Sequence, residues 1–397
     1  MDGRPREVSS TGSDVVVIGG GIVGTAAAAF LAGAGARVTL IEREGLASGA
    51  SGANSGVVQH PFDPVLAALY RETVALYREL SAADLGFRLG VEPVGLLYVS
   101  VDEAAVRDVD RSLADAFPDL DRDVLTGPAL ERLEPAVTPG LWACRVGIGF
   151  PVHPGASTYA YATLAEQRGA HIRQGRSAAL DLRGDDVVGV EVDGQLLAAD
   201  AVLVAAGPWS PELIDATGVW TPIHQRWGVV VEAEIAAGPG HVLEEAEIGA
   251  VIGVQPVADD PAVDGLPAHD RDEDVVDFSL VPLPGVATVG STFLGREPDP
   301  AAWVERILTR ATAFVPGVAD APIRGTRSCA RPQSADGRPL IGPVPGRRGL
   351  YICAGHGSWG ISTGPASARL VVDRILGRDP AIPTELDPAR FGALPAT

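Results

Sequence analysis

Three glycines at fixed spacing, Gly19-x-Gly21-x-x-Gly24, separate a β-branched run, Asp14–Ile18, from an alanine-rich stretch at residues 25–32. Glycines so placed permit a tight turn, let backbone N–H groups approach a pyrophosphate, and seat the following helix on its strand. The positive end of that helix then meets the phosphate charge. Glu42 ends the next apolar run, Arg37–Glu42, where a carboxylate accepts hydrogen bonds from a ribose. The unit implies a dinucleotide and does not separate NAD from FAD; a glycine-rich turn without a ligand is the alternative.

Two further stretches have the same small-residue character. Residues 50–56 read Ala50-Ser51-Gly52-Ala53-Asn54-Ser55-Gly56, which offers N–H groups and short polar side chains to a ligand edge. Alone it is a flexible loop, too glycine-rich for a helix interior. Near the C-terminus, residues 331–342 (RPQSADGRPLIG) are followed by 354–365 (AGHGSWGISTGP). Glycines here let backbone lie against a flat ring. Ser362 or Thr363 is placed to cap a last helix, with Pro365 in its first turn. The positive end of that helix suits a flavin, whose ring edge turns negative on reduction.

Composition narrows the chemistry. The 397 residues contain 31 basic side chains, and all of them are arginine. Without lysine there is no Walker A lysine, no pyridoxal Schiff base and no lysine general base. A net charge of −20 without a basic stripe argues against nucleic acid. Three cysteines, Cys144, Cys329 and Cys353, make no disulfide framework, so a reduced, cytoplasmic setting is expected. Residues 1–13 read as a polar tail and not a signal peptide. Residues 15–36 are uncharged and long enough to span a bilayer, but six glycines make them strand, turn and helix; no membrane span is expected.

These motifs need a scaffold. Helical spacing recurs at residues 64–83, 103–117, 158–168, 301–314 and 361–376, and short apolar strands at 171–173, 201–205 and 351–354. Residues 91–101 read as a strand pair or one long strand, and 187–192 with 196–199 as a meander. Residues 221–325 have another texture, with strands near 228–234 and 286–290 and an acidic loop around Asp259 to Asp277. The fold class expected is α/β: a discontinuous Rossmann-like nucleotide domain (14–85, 150–220, 326–380) with an inserted, mainly antiparallel-sheet substrate domain (86–149, 221–325). Residues 1–13 and 381–397 are tails.

Taken together, the motifs resemble the D-amino-acid-oxidase-like flavoprotein superfamily, which includes glycine oxidase, monomeric sarcosine oxidase and D-amino-acid dehydrogenase. The resemblance runs nearly end to end, including residues 202–210 with Ala206 and Gly207. It implies FAD, two domains with the ring system at their interface, and oxidation of a C–N bond. By resemblance, Gly19, Gly21, Gly24 and the backbone of Ile22 and Val23 face the pyrophosphate, and Glu42 and Arg43 the adenosine. Ala50, Ser51, Asn54, Ser55, Gly56 and Val57 flank phosphate and flavin. His356, Gly357, Ser358, Trp359, Gly360, Ile361 and Ser362 lie over the pyrimidine ring, and Ala178 contacts adenine.

The same resemblance gives Arg331 the substrate carboxylate, which its planar fork binds through two parallel hydrogen bonds. The alternative is a structural arginine paired with an acid such as Asp336. Cys329 stands, relative to Asp336, where sarcosine oxidases bear a flavin-linked cysteine; a plain buried thiol is the alternative. His60 is a candidate to reach the flavin's face, or a structural histidine. Sarcosine oxidases resemble one another in activating oxygen with lysine, which this chain lacks, leaving that task to an arginine, to protonated His60 or His356, or to nothing. The expected function is FAD-dependent oxidation of an amine or amino acid: hydride passes from Cα to flavin N5, leaving an imine that water hydrolyses. The electron acceptor is oxygen or another compound, with slow turnover on oxygen expected. A dehydrogenase, a hydroxy-acid oxidant and a non-catalytic flavin-binding subunit are the rivals.

Overall fold

A computed structural model describes residues 12–246 and 276–394. Apolar β-branched runs that can be covered on both faces favour a parallel sheet. Asp14–Ile18, Arg37–Glu42, His171–Gln174, Ala201–Val204 and Leu350–Ala354 form one, closed at an edge by antiparallel Leu340–Pro343. One face is covered by the helices Ile22–Gly33, Ala156–Gln167 and Gly360–Ile375. The other packs on the expected meander, Ala178–Arg183, Asp186–Val192 and Gln195–Ala198. The first helix starts at Ile22, three residues before the expected position, so its first turn abuts the glycine turn directly.

The second sheet has eight strands. Its order is Ile323–Ser334, Ile223–Ala233, Val286–Gly290, Ser279–Leu283, Val242–Glu245, Leu96–Ser100, Trp142–Val146, Arg122–Leu125. Every pairing is antiparallel except that of Val242–Glu245 with Leu96–Ser100. Side chains alternate across it. Leu97, Val99, Val229, Val231, Leu243, Leu280 and Val289 pack against Val304–Thr312 and its neighbours. Much of the opposite face looks into a cavity.

Several expectations shift. Residues 91–101 contribute a single strand, Leu96–Ser100. The helix expected at 301–314 is a 3-10 turn, Pro300–Trp303, followed by Val304–Thr312. The glycine-rich stretch at 45–56 does turn helical, for four residues, Ala50–Ala53. Ile323–Ser334 lies wholly in the large sheet, so a division at 326 would cut one strand in two. Residues 384–391 form two 3-10 turns that bury Leu386, so this part of the C-terminal segment is packed and is not a tail. The acidic loop lies outside the described residues except at its last positions. Among the described residues, no helix is long and apolar enough to cross a membrane.

The last helix also departs from the expected cap. It begins at Gly360, and Pro365 is its sixth residue. Ser362 Oγ accepts from the Gln59 N–H at 2.9 Å, and Thr363 Oγ1 donates to the Trp359 carbonyl at 2.8 Å, so neither caps the helix. Pro365 has no N–H to give the carbonyl four residues earlier. That carbonyl, Ile361 O, instead accepts from Tyr77 Oη at 2.8 Å. Tyr77 comes from the helix Pro64–Ala82, whose start is fixed by Pro64 at N1 and by Asp63, which accepts from Val65 and Leu66 N–H. The first turn of the last helix is thus tied to a helix nearly three hundred residues away in sequence.

Candidate functional site

A cavity of about 570 Å³ is lined by both sheets. Of the residues named from the sequence, Gly19, Gly21, Ile22, Val23, Glu42, Arg43, Ala178, Ala206 and Gly207 line one end. Ala50, Ser51, Asn54, Ser55, Gly56 and Val57 line its flank, with His356, Gly357, Ser358, Trp359, Gly360, Ile361 and Ser362 opposite. Cys329 and Arg331 line the end at the large sheet. Gly24 and His60 do not line it.

Gly24 acts one layer behind. A Cβ there would sit 2.0 Å from the Gly19 carbonyl oxygen and 3.5 Å from Val17 Cγ1, so only glycine lets the helix approach the turn this closely. Thr25 N–H is the first to bond within the helix, to Gly21 O at 3.0 Å. The N–H groups of Ile22, Val23 and Gly24 therefore have no partner inside it. Ile22 N–H donates to Ser51 Oγ at 2.9 Å, which brings the second motif onto the first. Glu42 accepts from Gly20 N–H at 2.6 Å and from Glu44 N–H at 2.8 Å, so its carboxylate is held at the mouth of the turn. Arg43 lies over the Trp209 ring at 4.1 Å, making a flat lid at this end. Asn54 folds its own loop, donating to Ala50 and Ser51 carbonyls and accepting from Gly56 N–H.

His60 is packed against Tyr70, Phe62 and Phe117 rings. Burial, helped by the charge on Arg71, lowers it to about 4, so it is a neutral core residue, away from the cavity wall. Gln59, its neighbour, faces the cavity instead. His356 does line the wall, but burial lowers it too to about 4, and its Nε2 is buried without a hydrogen-bond partner among the described residues. Neither histidine is a cation at neutral pH.

Arg331 is partly buried. Its Nη1 donates to the Thr292 carbonyl at 2.9 Å, and its guanidinium lies 4.4 Å over the Phe293 ring. Gly228 on the adjoining strand makes room: a Cβ there would lie 2.4 Å from the guanidinium. Burial pulls its pKa down, yet a guanidinium starts so high that it stays charged. Asp336 pairs with Arg390 instead, and no carboxylate among the described residues forms an ion pair with Arg331. Cys329 is a buried thiol whose Sγ lies 3.8 Å from Ala53 O. Burial raises its pKa, against Arg331 and Arg327, which disfavours a reactive thiolate.

Sequence reasoning missed Glu244, Ser279, Val281, Ser291 and Phe293, which complete the wall on the side of the large sheet. Glu244, Ser279 and Val281 lie on short strands, Ser291 and Phe293 just past the end of one, and all are of ordinary types. Only the register across the sheet brings them together.

This cavity fits FAD. Free first-turn N–H groups suit a pyrophosphate, Glu42 suits a ribose, and the long groove between small residues suits a flat ring system reaching the large sheet. The DAO family, described as FAD dependent oxidoreductase, matches residues 14–374. Glycine oxidase of Pseudomonas aeruginosa is 29% identical over 396 residues, covering 95% of this chain and 97% of that protein. Among solved structures, glycine oxidase from Geobacillus kaustophilus superposes with a TM-score of 0.78 at 24% identity, covering 97% of this chain and 99% of that one. L-proline dehydrogenase from P. horikoshii does so with 0.79 at 21%, covering 97% and 100%. The fold is thus that of a Rossmann-like FAD domain joined to a sheet-based substrate domain, and the chain belongs to the DAO family of FAD-dependent oxidoreductases.

Proposed function

We propose that the protein oxidises the C–N bond of a carboxylate-bearing amine, an amino acid or an N-substituted amino acid. The observation that carries this reading is Arg331: a partly buried guanidinium, oriented by Thr292 O and Phe293, that lines the cavity with Asp277 nearby but with no carboxylate among the described residues in ion-pair contact. A charge so placed favours a carboxylate ligand. FAD, which the glycine turn, Glu42 and the loops 50–57 and 356–362 would hold, would supply the two-electron oxidation of the substrate's Cα–N bond to an imine that water hydrolyses. The chain's own part is to hold the carboxylate, exclude water with the large sheet and the loop 356–362, and bind the amine unprotonated. The glycine oxidase and L-proline dehydrogenase likenesses support an amino-acid substrate and leave the acceptor open.

A non-oxygen acceptor is favoured by one observation. The chain has no lysine, and both candidate histidines are neutral, so Arg331 is the cation nearest the substrate end of the groove. A guanidinium already engaged with a carboxylate gives little help to developing superoxide. The test is anaerobic mixing of the yellow holoenzyme with a panel of amines, amino acids and hydroxy acids. Bleaching by amino acids alone supports the reading, and bleaching by hydroxy acids alone overturns it. Reoxidation by oxygen slower than by an artificial acceptor supports the dehydrogenase form.

A further inference from the structure

The cavity face of the large sheet carries a second ionisable group, far from Arg331. Glu244 lies opposite Tyr98 on one neighbouring strand and Ser279 on the other. The next residue, Glu245, takes an ion pair with Arg310. Glu244 has no ion pair among the described residues; part of its surface lines the cavity, and its Oε2 is buried without a hydrogen-bond partner. Gln59 and Tyr98 lie beside it and ease its charge, but burial outweighs them and lifts its pKa to about 7. A carboxylate in such a wall is satisfied best by a donor that arrives from the cavity.

Register sets the distance between the two charges. The row through Glu244 continues as Ser279, Gly290, Val230 and Arg327, while Arg331 lies four residues further along its strand. The Arg331 guanidinium reaches across Gly228 to Thr292, just past the strand Val286–Gly290. The strand bearing Glu244 is two steps beyond that one, about 10 Å at ordinary strand spacing. The wall between is apolar at Val230, Val281 and Phe293. An acid at one end, a guanidinium at the other and an apolar stretch between them match one kind of molecule.

We propose that Glu244 is a specificity-determining residue that takes a cationic nitrogen carried several methylenes from the carboxylate held at Arg331, so that the substrate is an amino acid with a basic side chain. The assignment rests on the reading of Arg331 given above. Glycine-sized substrates would leave Glu244 without its partner, and a neutral straight chain would bring an apolar end against it.

The test uses the holoenzyme and two ligands that lack an α-amine, hexanoate and 6-aminohexanoate, with binding read from the shift of the flavin absorption bands at pH 8. Expected is about tenfold tighter binding of 6-aminohexanoate, lost in Glu244→Gln while hexanoate binding is kept. A second arm compares anaerobic bleaching by lysine and norleucine, both enantiomers of each, with lysine the faster. Equal binding of the two acids, or a preference unchanged in Glu244→Gln, overturns the role of Glu244 even if amino acids still bleach the flavin. Failure of both acids to bind, with no amino acid bleaching the flavin, overturns this proposal together with the function it rests on.

Discussion

The two ends of the cavity are built by different means. At the nucleotide end, contacts come from backbone and small residues drawn from short stretches: 19–23, 50–57 and 356–362. At the sheet end, the wall is made of single side chains spread over four strands, Val230, Glu244, Val281, Cys329 and Arg331 among them, brought together by register over about a hundred residues. The first wall works by having almost no side chains; the second works only through them. Removing atoms should therefore damage the sheet end, and adding atoms should damage the nucleotide end.

The largest effect tests the sheet end. In Arg331→Leu, the flavin content should stay at that of the wild type, since the nucleotide wall is untouched. Affinity for carboxylate ligands should fall by about 2–5 kcal/mol, the loss of a charge-assisted pair in a dry site. Titration of the flavin spectrum with hexanoate measures this. Unchanged affinity would make Arg331 a structural residue held by Thr292 and Phe293 alone.

A smaller but opposite change tests the nucleotide end. Gly24→Ala adds one methyl group, placed 2.0 Å from a backbone oxygen that the turn holds fixed. The helix must move off the sheet, at a cost of about 1–3 kcal/mol. The free N–H groups of its first turn move with it. Expected is a lower melting temperature together with substoichiometric flavin in the purified protein, read as the ratio of visible to ultraviolet absorbance. Full flavin content would show that the helix end tolerates displacement, and the contrast between the two walls would weaken.

What the sequence disclosed follows the same division. A motif made of consecutive glycines and serines is visible because its chemistry and its spacing lie along the chain. So Gly19 to Gly24, the Ser51 loop and the loop at His356 were all legible, as was the parallel sheet that carries them. Glu244 was not, because an acid in the stretch Val242–Glu245 looks like any polar edge until its neighbours across the sheet are known. His60 misled for the converse reason. It adjoins a motif in sequence, yet the chain alternates there, so Gln59 faces the cavity and His60 the aromatic core. Pro365 was read as a first-turn residue because no sequence rule foretells that Tyr77 will take the carbonyl it abandons.

The smallest effect is the most discriminating, because it sets Glu244 against the two buried histidines. Glu244 rises from an ordinary 4.5 to about 7, chiefly through burial. The folded chain therefore keeps a proton that the unfolded chain releases. Its contribution to stability is whole below pH 4.5 and is lost as pH rises through about 7. His60 and His356 fall from 6.5 to about 4, again through burial. Their unfolded forms take up protons that the folded ones refuse, so they favour folding increasingly as pH rises from about 4 to 6.5. The two trends overlap and mask each other in the wild type. The difference between wild type and Glu244→Gln isolates the carboxyl, since its near neighbours Gln59 and Tyr98 are uncharged throughout, the latter pushed far above its ordinary range. A shift of this size is worth at most about 3 kcal/mol, and water entering the cavity reduces it. We expect Glu244→Gln to be about 1 kcal/mol more stable than wild type at pH 8 and indistinguishable from it at pH 4.5, by thermal melts of the holoenzyme. A wild type that is the more stable at pH 8 would mean that the carboxylate already has its partner inside the protein. The sheet wall would then be as complete without a ligand as the nucleotide wall is incomplete.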